Sequence, residues 1–172
     1  MTAGKQINSC GMCRACCSAL TIEVPQDNEE QSERVKKWIS SGEDKKPAGV
    51  PCPQMNKNPF KYGCSIHTES TKPALCSEYL CSYARGNLGS DPRLRPDNLG
   101  VIVDLLEGNR IRIVEIKDRA LESSLVKKTM WKLPQLVEEL EGEWNLEIIP
   151  LNLMGSGLGV SVPINKLTIG RK

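Results

Sequence analysis

The stretch that decides the reading is Cys10-Gly11-Met12-Cys13-Arg14-Ala15-Cys16-Cys17. It holds four of the chain's eight cysteines. The others are Cys52, Cys64, Cys76 and Cys81, so none lies beyond residue 81. Two residues between cysteines let a tight turn aim two sulfurs at one point. That spacing suits a metal ion with thiolate bonds of about 2.3 Å. Packing gives no reason for a CxxCxxCC run. The expected ligands are Cys10, Cys13, Cys16, Cys17, Cys52, Cys64, Cys76 and Cys81.

A disulfide framework is the rival, and it needs an oxidising compartment. The opening MTAGKQINSCGM has no apolar core of a secretory signal. No apolar run approaches the roughly 18 residues of a membrane span. The expectation is a cytoplasmic protein with reduced thiols and no membrane partner. A chain of 172 residues buries a core without disulfide staples.

Working outward from the cluster, the N-terminal half is rich in turns and holds most of the 11 prolines. Ser18 to Val24 is β-branched and reads as a strand ending at Pro25. Asp27 and Glu30 fit a capping box for a helix to about Ile39, with Glu30/Arg34 and Glu33/Lys37 as i,i+4 pairs. Val35, Trp38 and Ile39 are its only apolar stripe, which predicts a solvated surface helix. Ser40 to Pro53 reads as a loop, and Cys52 lies in a rigid Pro-Cys-Pro turn. Gly63, before Cys64, is free to take positive φ and bring the backbone near an ion. Pro73 starts a short helix carrying Cys76. Cys81 follows five residues later, about 140° away around an ideal helix. Either the helix ends before it or the two cysteines serve different places.

Beyond Pro96 the texture changes. Leu99–Leu106 and Arg110–Ile116 flank Glu107-Gly108-Asn109, a hairpin signal. Ser123 or Ser124 caps a helix to about Leu140, with Pro134 breaking or restarting it. Trp144–Leu151 and Leu158–Ile164 read as strands, and Gly155–Gly159 as the turn between them. The fold expected is α+β. Residues 1–98 form a loop-rich, metal-stabilised half; residues 99–172 form a short-stranded antiparallel sheet with helices, packed with the first as one domain.

The order of motifs resembles the zinc- or iron-chelating cysteine-cluster proteins, the YkgJ-type or CxxCxxCC family. It is carried by Cys10, Cys13, Cys16 and Cys17, then Lys46-Pro47-Ala48-Gly49 ahead of Cys52, Gly63-Cys64-Ser65-Ile66, Lys72-Pro73-Ala74-Leu75-Cys76, and Arg95-Pro96-Asp97. The likeness covers roughly residues 10–98. Family members commonly have an aromatic at His67 and an arginine at Lys72. Some carry a further Cys or His where this chain has Pro53, Gln54 and Met55. The resemblance implies a metal or iron–sulfur centre and no particular reaction.

Eight thiols fit two zinc ions in closed four-thiolate sites, or one iron–sulfur cluster with thiols to spare. The vicinal pair Cys16-Cys17 diverges, so its two sulfurs face different centres or only one of them binds. On a helix, Cys10, Cys13 and Cys17 share a face. His67, the only histidine, reads as a surface or outer residue, with ligation as the alternative. Met12 and Met55 read as packing. The net charge is +2, with 13 basic and 11 acidic side chains in residues 1–98 and ten of each in 99–172. Neither half is a basic patch and aromatics are only 4%, which argues against nucleic acid. No nucleotide fingerprint, HExxH or Ser/His/Asp set is evident. The expectation is a non-catalytic zinc- or iron-binding protein. The alternatives are an iron–sulfur protein serving redox or an enzyme, and a zinc adaptor or metal-delivery protein with a protein client.

Overall fold

The computed structural model describes residues 8–39, 45–58, 60–61, 63–70, 72–138, 143–156 and 158–163. The chain divides into two compact units. One is Ser9–Tyr79; the other joins Met1–Asn8 to Leu80–Lys172. Both helices and sheets are present, so the fold is α+β.

In Ser9–Tyr79 the elements are short: α1 (Ala15–Ala19), β1 (Ile22–Glu23), α2 (Glu29–Ile39), β2 (Lys45–Lys46) and α3 (Ala74–Glu78). The strand expected from Ser18 is therefore reduced to two residues, because α1 takes Ser18 and Ala19. β1 and β2 pair antiparallel, Ile22 opposite Lys46 and Glu23 opposite Lys45. The cap of α2 is Asn28 rather than Asp27: Asn28 Oδ1 accepts from Gln31 N at 3.0 Å. Arg34 pairs with Glu30 as expected, whereas Glu33 pairs with Lys36 at 3.7 Å and not with Lys37.

α2 is not the solvated helix its composition suggests. Val35 is fully buried and Ile39 5% exposed, and they form a core with Ile22, Val24 and Cys52. Two aliphatic side chains four residues apart make a narrow stripe, yet that is enough when the surface they cover is small. Its polar side also holds the chain. Gln31 Oε1 accepts from Ala74 N at 3.0 Å, one of the otherwise unpaired first-turn donors of α3, and Arg34 donates to Ser70 O at 3.1 Å.

The second unit is built on a four-stranded sheet. After α4 (Pro96–Leu99) come β3 (Val101–Leu106), β4 (Arg110–Glu115), α5 (Ser124–Glu138), β5 (Asn145–Ile149) and β6 (Val160–Pro163), with spatial order β3-β4-β5-β6. The expected hairpin is present: β3 and β4 pair antiparallel, and the turn places Gly108 and Asn109 at φ 70° and 55°. The sheet is mixed rather than antiparallel, because β4 and β5 run parallel. A parallel pair needs a long crossover, and α5 lies within it. Ser123 Oγ caps α5 by accepting from Val126 N at 3.1 Å. Pro134 sits inside the helix, which continues through it to Glu138 instead of breaking; Leu140 lies outside the described residues.

Val126 and Leu133 of α5 are 1% exposed and pack with Val101, Val103, Ile111, Ile113 and Leu146 from the sheet. Two buried acids tie this unit together. Asp104 receives Arg112 from the facing strand at 3.0 Å. Glu115 accepts Leu121 N at 3.1 Å and Leu151 N at 3.0 Å, bracing the turns that follow β4 and β5. Among the described residues no helix is long and apolar enough to cross a membrane.

Candidate metal centre

Seven of the eight cysteines lie in Ser9–Tyr79, and the eighth, Cys81, is buried in the other unit. The helix carrying Cys76 ends at Glu78, short of Cys81. No disulfide joins any of the eight, all of which are among the described residues.

The CxxCxxCC run is a turn leading into a helix, not one helix. Gly11 takes φ 48° and Cys13 N bonds Cys10 O at 2.8 Å. α1 then starts at Ala15, so only Cys16 and Cys17 are helical and the expected shared face of Cys10, Cys13 and Cys17 does not form. The last carbonyls of a helix need partners. Here Gly49 N reaches Ala19 O at 3.2 Å and Cys52 N reaches Cys17 O at 2.9 Å, which brings Cys52 beside Cys17.

From Cys52 the chain turns at once, with Met55 N on Cys52 O at 2.9 Å and Gln54 N donating to Cys52 Sγ at 3.2 Å. Met55 then bridges antiparallel to Cys64, flanked by Asn56 N on Gly63 O and Ser65 N on Gln54 O. This small hairpin is fastened to the cysteine turn. Gly63 N bonds Gly11 O at 3.2 Å, and a Cβ on Gly63 would lie 2.2 Å from Cys13 O. Gly63 is thus needed for close approach and not for positive φ. Arg14 completes the fastening, donating to Asn56 O at 3.1 Å and Asn58 O at 2.7 Å. Cys17, Cys76 and Met55 pack against the core that contains Cys52. Met12, by contrast, is 42% exposed and does not pack inside.

The thiols of distant segments feel one another's charge, and the vicinal pair Cys16-Cys17 is itself joined by a hydrogen bond. Cys16 feels Cys17 most, then Cys13 and Cys10; Cys52 and Cys76 feel Cys17 and Cys64. Cys16 keeps its proton and donates a hydrogen bond to Cys17, so the Cys16 thiol is raised while Cys17 falls to about 7, helped by Lys46, Lys72 and Arg14. Burial pushes Cys52 up to about 11 and Cys76 up to about 12, and raises Cys64. Burial and Lys72 hold His67 below its ordinary value. Sequence reasoning missed the half-buried Arg14, which fastens the hairpin, and the buried Lys46, since nothing in spacing shows where a cation comes to lie.

Among the described residues, no three His, Cys, Asp or Glu side chains already stand in a metal-holding arrangement. The donors nonetheless suit a thiophilic ion: they are thiols, drawn from distant segments, with cations nearby to offset thiolate charge. No family model matches the chain, and neither the curated proteins nor the solved structures include a significant match.

Proposed function

We propose that Ser9–Tyr79 is a metal-binding cysteine-cluster unit whose thiolates hold zinc or iron in a non-catalytic centre. One observation carries the reading. Backbone bonds from Cys52 to Cys17, Met55 to Cys64 and Gly63 to Gly11 gather thiols that are remote in sequence around one small core. Cys17, Cys52 and Cys76, which share that core, are the leading ligands, with Cys64 joined through its bridge to Met55 and with Cys10, Cys13 and Cys16 as further candidates. On the motifs alone, the chain is taken as a CxxCxxCC protein of the YkgJ type acting in the cytoplasm. A bound ion would cross-link these segments and supply folding energy where the apolar core is small.

The test is elemental analysis and an absorbance spectrum of protein purified under nitrogen. Metal near one or two zinc per chain without visible colour supports a structural thiolate centre. Iron with acid-labile sulfide and a broad band near about 400 nm moves the reading to an iron–sulfur centre in a redox or enzyme-linked role. Protein that takes up neither zinc nor iron overturns the proposal.

A further inference from the structure

The sheet unit carries a cleft of about 440 Å³ between α5 and residues 87–94. Small-ligand sites commonly measure about 300–1,000 Å³. Its apolar lining is Leu133 of the core, with Leu88, Leu94 and Leu125, which pack against that core while keeping part of their surface exposed. The wall facing α5 is pinned in place. The buried Asn8 donates from Nδ2 to Tyr83 O at 2.7 Å and Gly89 O at 2.8 Å, and Asn98 Nδ2 donates to Pro92 O at 2.9 Å. A cleft held this way needs little ordering when a ligand enters. Four charged side chains line it: Asp91, Arg93, Lys128 and Lys132. Asp91 is already taken, because Arg93 donates from its backbone N at 2.9 Å and from its guanidinium to both carboxylate oxygens at 2.7 to 3.1 Å. Lys128 and Lys132 have no ion-pair or hydrogen-bond partner among the described residues. Four residues apart on α5, they share one helix face. The Thr129 hydroxyl is committed to the helix, donating to Leu125 O at 2.9 Å. What the lining offers a ligand is leucine surface beside two unbalanced ammonium groups.

We propose that this cleft binds a small amphipathic anion, a carboxylate head on an apolar body, independently of any metal in the cysteine-rich unit. The head sits with Lys128 and Lys132, and the body covers Leu88, Leu94 and Leu125. Exposed lysines alone are balanced by water, and an apolar lining alone selects no charge. Together they define one ligand chemistry. Exposed ion pairs are weak and screened by salt, so the ammonium groups choose the sign of the head. The apolar body supplies most of the affinity by leaving water. A bare phosphate or a nucleic-acid backbone would leave the leucine surface unused.

The test uses the full chain and three probes. Anilinonaphthalene sulfonate, an anion on an aromatic body, is followed by its fluorescence; octanoate competes with it, and acetate is the head without the body. The expected result is saturable binding of the dye, displaced by octanoate and not by acetate at the same concentration. Removing both ammonium groups, Lys128→Gln with Lys132→Gln, is expected to weaken octanoate about tenfold, the combined size of two exposed ion pairs. Both lysines are exposed, so this variant should keep the parent's melting temperature. Lys127→Gln removes the same charge from α5 at a position that does not line the cleft, and should bind octanoate as the parent does. No saturable binding, or displacement by acetate as readily as by octanoate, overturns the proposal. So does a double variant that binds octanoate as tightly as the parent, or a Lys127→Gln variant weakened as much as the double one.

Discussion

Gly63 carries the sharpest constraint at the scale of single residues. Its missing side chain lets the hairpin backbone rest on the Cys13 carbonyl, where a Cβ would sit at 2.2 Å. The atom in the way is backbone within a tight turn, so it has little room to yield. Gly63→Ala is expected to cost about 1–3 kcal/mol, the usual range for overpacking, and to lower bound metal. Thermal melting with metal analysis checks this; an unchanged melt and metal content would sink it. The sequence reading gives Gly63 a positive φ and an approach to an ion; the structure gives it an ordinary φ and an approach to the Cys13 carbonyl. Positive φ belongs to Gly11 and Gly49 in this unit.

α2 and the hairpin that follows Cys52 decide whether the thiols stay together at the scale of elements. Ile39 and Val35 close the small core under Cys52, so Ile39→Ala should destabilise this unit by about 2–5 kcal/mol, the range for emptying a buried isoleucine site. The expected readout is selective: faster amide exchange across Ser9–Tyr79, with the strands Val101–Leu106 and Arg110–Glu115 unaffected. Uniform exchange over both units would contradict it. The capped ends of α2 and α5 were legible in sequence to within a residue or so, since Asn28 and Ser123 are strong caps. Burial of α2 was not, because two apolar residues do not reveal what they cover. The parallel pairing of β4 and β5 was equally hidden. Strand patterns carry no direction, and only the crossover through α5 sets it.

The thiols of the whole molecule give it a pH signature. In metal-free, reduced protein, Cys52 and Cys76 ionise at about 11 and about 12, against 9.0 for an ordinary thiol. A group whose folded value is raised lends its full stability below the unfolded value and loses it as pH climbs through the folded one. Melting temperature of the metal-free chain should therefore fall between about pH 9 and 12. Cys17, lowered to about 7, works in the opposite sense and weakens the fold as pH drops through that value. On the proposed reading metal retention would follow a third course: protons compete for thiolates, so a bound ion would be lost on acidification. A melt that is flat from pH 9 to 12 would refute the buried-thiol picture.

The amino-acid sequence by itself determined that this chain has a cysteine-dense half and an α+β half, where its caps and its hairpin turn lie, and which residues are candidate ligands. These are local properties, written in spacing, turn residues and side-chain type. Only the tertiary structure decided that Cys81 belongs with the sheet unit, that α2 closes the core holding Cys52, and that Lys46 is buried. Each of these depends on which distant segments meet. Backbone hydrogen bonds such as Cys52 N to Cys17 O settle that, and no sequence interval records them.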